Sequence, residues 1–256
     1  QTGIFPNTQQ NVFNVRSSTD ISITKKFGIS FDIRYQLRDM DALNNQEDIY
    51  KQLIQADPTM VAYYTDGSYG YNPGFFTNPL VPLYEGGQKY TNRHEASGIF
   101  KLDYEIIDGL KFTGIANVKY TFKNEESRAR KVFYKNYFTQ EVFENGENSF
   151  SDRRDYNAYY NLQALLNYKK SFGIHNLDIL AGYQQESENS DWLKGARSGY
   201  PTDIIWELNP GPKDNWSNDG NGEHWALASF IGRINYDYDN KYILSLSIRS
   251  DASSRF

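Results

Sequence analysis

Cysteine is absent from this 256-residue chain, which removes disulfide staples, thiolate-bound zinc and a thiol nucleophile from consideration. The absence also suits a chain that passes through an oxidising compartment. No stretch offers the roughly 18 consecutive apolar residues that a membrane-spanning helix needs. Basic charge is not in excess: the net charge is −5, and a nucleic-acid partner would call for a basic face. Histidine is scarce, and His94, His175 and His224 stand far apart without a metal-ligand spacing. No Gly-x-Ser-x-Gly elbow is present. The run Asp219-Gly-Asn-Gly-Glu223 carries oxygen ligands but departs from the calcium-loop pattern and reads as a loop tip. Asp103 and Glu105 alternate along a strand, the behaviour of a solvated face rather than of an acid/base pair. No catalytic residue, metal or cofactor is expected.

What the chain has in quantity is aromatic side chains, with 21 Tyr and 16 Phe, while its mean hydropathy is only −0.72. A polar average with many tyrosines fits a surface that has an apolar body and a wet rim. A carbohydrate-binding module could share that composition, so the order of residues must decide.

That order alternates with period two. From Phe27, the odd positions Phe27, Ile29, Phe31, Ile33, Tyr35 and Leu37 are apolar, and the even positions between them are polar or glycine. Residues 96–106, 110–122 and 156–168 repeat the pattern, with Ile99, Ile115, Tyr159 and Leu165 as exceptions on the polar face. Weaker versions run from Phe13 to Ile23, Leu177 to Tyr183, Ala226 to Tyr238 and Tyr242 to Ile248, which predicts eight strands. Several reach about 11–13 residues, beyond the roughly 5–6 of globular proteins and near the roughly 9–11 that cross a bilayer with tilt.

The expected connections alternate in length. Short ones fall at 25–26, 107–109, 169–175 and 239–240, and long ones at about 41–94, 124–154 and 187–223. Short turns on one side and long loops on the other are the asymmetry of outer-membrane barrels. The apolar face adds two aromatic bands. Phe27, Tyr104, Phe112, Tyr168, Tyr236, Tyr238 and Tyr242 lie near the short turns, and Tyr35, Tyr120, Phe122, Tyr156 and Tyr183 toward the long loops. Mainly aliphatic residues lie between, as expected where rings settle at headgroup level. The expected fold is therefore all-β: an antiparallel transmembrane β-barrel in contact with outer-membrane lipid.

The long loops hold the candidate binding residues. In 41–94, Gln46 to Ala56 is predicted as a helix, with Asn45 as cap and Pro58 as stop, packing the loop onto the barrel rim. Tyr63, Tyr64, Tyr69 and Tyr71 follow, among Gly67, Gly70, Pro73 and Gly74. Trp192, Trp206 and Trp216 stand in 187–223. Exposed rings among Asp and Asn could stack on sugars or hold peptides, or simply pack the loops together.

The C-terminal end carries a more specific signal. Gly232-Arg233 lies in one strand, Lys241-Tyr242 follows a short turn, and the next strand ends Arg249-Ser-Asp-Ala-Ser-Ser-Arg-Phe256. This resembles a signature of the SusC/RagA family, TonB-linked outer-membrane transporters of Bacteroidetes, with Ala252 where glycine is usual. The unit Tyr104-Glu-Ile-Ile-Asp-Gly-Leu-Lys-Phe112 is a weaker likeness. The resemblance implies a barrel of about 22 strands around a plug, energy from TonB–ExbB–ExbD, a SusD-like surface lipoprotein over the mouth, and glycan oligomers or peptides as cargo. On that reading, residues 1–256 are consecutive strands of one larger barrel domain, and the plug, the remaining strands and a leader ahead of Gln1 lie elsewhere. Two other readings stand beside it: a complete eight-stranded barrel serving as adhesin or anchor, and a soluble carbohydrate-binding sandwich.

Overall fold

The computed structural model describes residues 2–71, 78–204 and 206–255. Pro73 and Gly74 of the glycine–tyrosine loop lie outside these. Eleven strands and two helices follow in the order β1 Gln9–Thr24, β2 Phe27–Leu43, α1 Gln46–Gln55, β3 Gly70–Tyr71, α2 Leu80–Tyr84, β4 Gly87–Ile107 and β5 Leu110–Ala129. Then come β6 Val132–Asn136, β7 Val142–Asn145, β8 Ser149–Phe172, β9 His175–Ser198, β10 Trp216–Tyr238 and β11 Tyr242–Ser253.

Eight of the strands form one antiparallel sheet in the order β1-β2-β4-β5-β8-β9-β10-β11, so sequence neighbours pair throughout. All eight expected strands are present, in a single sheet rather than in the two packed sheets of a sandwich. Among the described residues β1 and β11 each pair on one side only, so the sheet is open. This separates it from a closed eight-stranded barrel.

The strands outrun the expectation: β8 and β9 are 24 residues each. The connections between sheet strands shrink accordingly to 44–86, 130–148 and 199–215. The reason is visible on β9. From Leu177 to Tyr183 one face is apolar and the other polar or glycine except for Leu180; beyond it Gln185, Ser187, Asn189 and Asp191 make the formerly apolar face polar too. The two-letter pattern disappears there, yet the backbone ladder to β8 and β10 continues to Arg197.

The short turns use residues that tolerate left-handed backbone. Asp239 and Asn240 have φ of 54° and 52°, a conformation that short polar side chains reach at low cost. Gly109 has φ 80°, and a Cβ on it would come within 2.2 Å of the Lys169 carbonyl oxygen.

The sheet has no hydrophobic core of its own. Its aliphatic face leaves Phe100 45%, Leu246 56% and Ile248 75% exposed, which is stable only if lipid replaces water there. The buried apolar cluster sits instead at the loop end of the sheet, where Leu43 of β2 meets Ile49 of α1 and Leu83 of α2, flanked by Phe5 and Leu80. Helix α1 matches its predicted span and packs the loop onto the rim through Ile49, while Tyr50 and Ile54 stay exposed. The expected cap differs. Asn45 is left-handed (φ 55°) and makes no side-chain cap, because a capping side chain reaches the first-turn amides from extended backbone. Its carbonyl oxygen accepts from the Asp48 and Ile49 amides instead.

Candidate functional site

Two surfaces gather chemistry-bearing side chains: the loop unit and the polar face of the sheet. The loop unit rests on a three-stranded sheet, β3-β6-β7, built from two different connections. Strand β3 pairs parallel with β6, and β6 antiparallel with β7. Tyr134 and Phe143 stack at 5.8 Å, and Tyr71 meets Phe143 edge-on at 5.0 Å. Tyr134 is buried, and that burial, with Tyr71 beside it, pushes its hydroxyl up to about 12. Tyr63 bridges Tyr69 through backbone and ring, 5.1 Å between centroids. The Tyr69 hydroxyl is likewise pushed up to about 12, first by burial and then by the charge of Glu85. Lys135 ties the two connections together: its ammonium lies 2.7 Å from Asp66 and 5.0 Å from the Tyr64 ring centre. That ammonium, with the Ser68 hydroxyl and amide, holds the Asp66 carboxyl well below the usual carboxylate range.

The four candidate tyrosines share the loop unit in separate contacts: Tyr63 with Tyr69, Tyr71 with Tyr134 and Phe143, and Tyr64 with Lys135. The three tryptophans do not join them. Trp206 is in a connection, its ring 5.9 Å from the Arg128 guanidinium. Trp192 and Trp216, read as loop residues, are in strands. Trp216 opens β10 opposite Arg197, and Trp192 lies within β9 opposite Asp155, with Arg153 over its ring at 4.1 Å. The polar composition of 187–198 and 216–223 resembles that of a loop, yet the ladder runs through both.

On the polar face, charges are matched along β1 to β5. Asp32 is held by Arg16 and Arg34 at 2.6 and 2.9 Å. Asp103 lies between Lys101 and Lys111 at 2.8 and 2.9 Å. Glu125 lies between Lys89 and Lys123, both at 2.7 Å. Farther along the sheet the chemistry changes. Adjoining residues of β8, β9 and β10 form rows across the wall: Asn157–Ser190–Glu223, Tyr159–Glu188–Trp225, Asn161–Glu186–Leu227 and Gln163–Gln184–Ser229. No lysine or arginine occupies any of these positions. Neutral donors serve the carboxylates instead: Asn157 Nδ2 donates to Glu188 Oε1 at 2.6 Å, and Trp225 Nε1 to Glu188 Oε2 at 2.8 Å. Trp225 is not among the loop candidates; only the register, which sets it beside Glu188 and across from Tyr159, brings it out.

No family model matches the chain. Among curated proteins it is 28% identical over 268 aligned residues to TonB-dependent receptor P3 of Formosa agariphila, covering 100% of the chain and 26% of that receptor. It is 25% identical to TonB-dependent receptor SusC of Bacteroides thetaiotaomicron, over 75% of the chain and 18% of SusC. The chain therefore spans about a quarter or less of the relatives it matches. Among solved structures, the RagAB peptide transporter superposes with a TM-score of 0.75 at 17% identity, over 97% of the chain and 28% of the matched one. BauA, the ferric preacinetobactin receptor of Acinetobacter baumannii, gives 0.53 at 11%, over 99% and 36%. An antiparallel sheet with an exposed aliphatic side, all its long connections at one end, and these alignments along its length make the chain similar to part of the barrel of TonB-dependent outer-membrane receptors, SusC among them.

Proposed function

We propose that the protein takes up oligomeric nutrients across the outer membrane, glycans or peptides, and that residues 1–256 form part of the wall of its transport barrel. The observation that carries this reading is the two-faced sheet: a lipid-compatible outer face behind a polar inner face, with an ordered loop unit at one end only. A wall of this kind costs little where it borders a hydrated lumen or a polar plug, and much where it is packed into a dry core. Energy coupling is assigned to TonB–ExbB–ExbD through parts of the protein outside this chain. The loop unit sits where a SusD-like surface lipoprotein would cover the mouth.

The test is uptake by cells that do or do not carry the full-length gene, with labelled glycan and peptide oligomers. Import that requires the gene and stops when the proton-motive force is dissipated is the expected result. Import that persists without the gene, or without the proton-motive force, would overturn the reading. Transport rather than catalysis is the activity to measure, because the relatives are named as receptors and transporters.

A further inference from the structure

We infer that the cation-free patch on β8, β9 and β10 is a binding site for an uncharged, hydroxyl-rich glycan on the inner wall of the barrel; this rests on the uptake reading above. The geometry has three parts. First, Tyr159 and Trp225 stand in one row on either side of Glu188. Two spacings between neighbouring strands put them about 10 Å apart on the same face. Rings at that separation offer two apolar platforms to the faces of successive sugar units.

Second, the groups around the rings are planar amides and carboxylates in two hydrogen-bonded sets, one around Glu188 and one around Glu186. Asn157 Nδ2 also donates to Ser190 Oγ at 2.7 Å, and Gln163 Nε2 to Asn161 Oδ1 at 3.0 Å. Gln184 Nε2 donates to Glu186, and the Tyr159 hydroxyl lies 3.4 Å from the same carboxylate. An amide both donates and accepts, as a sugar hydroxyl does. Such a surface can exchange its internal bonds for bonds to hydroxyls without leaving a buried polar atom unpaired.

Third, the charge pattern selects the class. On β1 to β5 the carboxylates named above are each held between two cations, whereas within the patch Glu186 and Glu188 are held by neutral donors. Cations stand only at its margins. Lys119, opposite Tyr159 on β5, reaches Glu95 at 3.3 Å; Arg249 on β11 pairs with Asp251 at 2.8 Å and donates to Ser229 Oγ at 3.2 Å; and Arg255 lies 5.3 Å from the Trp225 ring. Rows that carry carboxylates and no lysine or arginine of their own disfavour sulfated or uronic-acid chains. A cationic peptide is the competing occupant. The amides and the already-bonded Glu188 favour the glycan, because both Glu188 oxygens are engaged by neutral N–H donors.

The experiment is calorimetric titration of the full-length receptor in detergent with three probes: uncharged hexasaccharides of glucose, mannose, galactose and xylose; an oligo-uronate; and a lysine-rich hexapeptide. One of the neutral hexasaccharides should bind. The paired substitutions Tyr159→Ala and Trp225→Ala should weaken it by about tenfold or more, and Glu188→Gln by less than about threefold. Heat-dependent electrophoretic migration identical to that of the unaltered protein controls for assembly. Where the alanine pair fails that control, Tyr159→Leu and Trp225→Leu replace it.

Binding of the lysine-rich peptide that is lost in Glu188→Gln would overturn the inference, as would hexasaccharide binding unchanged in the paired variant, or no binding by any hexasaccharide. Uptake by cells separates the two readings. Energy-dependent import that is unchanged in the paired variant sinks the patch and leaves transport standing. No energy-dependent import by the unaltered protein sinks the transport reading itself.

Discussion

At the residue scale, the loop unit shows how a few side chains make an ordered platform out of two long connections. Tyr134 is buried and its ring meets both Tyr71 and Phe143. Tyr134→Ala should remove about 3 kcal/mol or more from the unit; limited proteolysis should then cut 130–148 while the strands remain protected. The tyrosine hydroxyls fix the alkaline limit. Tyr69 and Tyr134 have folded values of about 12 against an ordinary 10.0. Their contribution is therefore complete below pH 10 and is lost as the pH rises from about 10 to about 12. Tyrosinate absorbance at these two positions should lag behind that of the exposed tyrosines, and a simultaneous rise would contradict the packing described. The acid limit belongs to Asp66, whose folded value is depressed. Its pairing with Lys135 is complete above about pH 4 and is lost as the pH falls through the lower folded value. Asp66→Asn should flatten the acid dependence of proteolysis in 44–86. Gly109 is constrained differently. With φ at 80° and the Lys169 carbonyl within 2.2 Å of any Cβ, Gly109→Val should lower the assembled fraction in outer membranes, whereas Asp108→Ala should not.

At the scale of the element, each strand carries two surfaces with different tolerances. Leu162 and Asn161 are sequence neighbours that point to opposite faces of β8. Leu162→Arg places a charge against lipid and should cost about 2–4 kcal/mol near the bilayer midplane. The comparison is Asn117→Arg, on the inner face of β5 opposite Asn161, which should leave denaturant unfolding of the full-length receptor nearly unchanged. Equal losses for the two would mean that the faces have been assigned the wrong way round. The existence and facing of all eight sheet strands were legible from alternation, because a lipid-facing side and a wet side demand different residues. Strand ends were not legible. Past Tyr183 on β9 both faces are wet, so the residues no longer alternate although the ladder persists. β6 and β7 escaped for another reason: at 5 and 4 residues they are too short to show alternation, and β3, the second neighbour of β6, comes from a different connection.

At the scale of the whole molecule, the open sheet sets the expectation for how the chain behaves alone. Among the described residues β1 and β11 each leave one backbone edge unpaired, and long exposed edges pair with other chains. Residues 1–256 refolded alone in detergent should give aggregates or mixed oligomers; a stable, monomeric, heat-shifted barrel would count against a place in a larger wall. In native outer membranes, an antibody to this segment should mark a band several-fold above 29.7 kDa, co-purifying with a lipoprotein. A band near 29.7 kDa would remove the partner and cargo assignments together.

The sequence by itself determined the fold class, the number and facing of the sheet strands, the side on which the long connections lie and, through residues 229–256, the resemblance to SusC/RagA transporters. Each of these is written in local order: alternation records which solvent each face meets, and turn residues record where the chain reverses. The tertiary structure decided which side chains share a site. Trp192 left the loops for strand β9, and the four tyrosines came to lie in one loop unit built from two connections. Tyr159 and Trp225, 66 positions apart in the chain, came to flank one carboxylate. That last juxtaposition depends on the register of three strands, which hydrogen bonds between distant backbone segments fix and which no local run of residues contains.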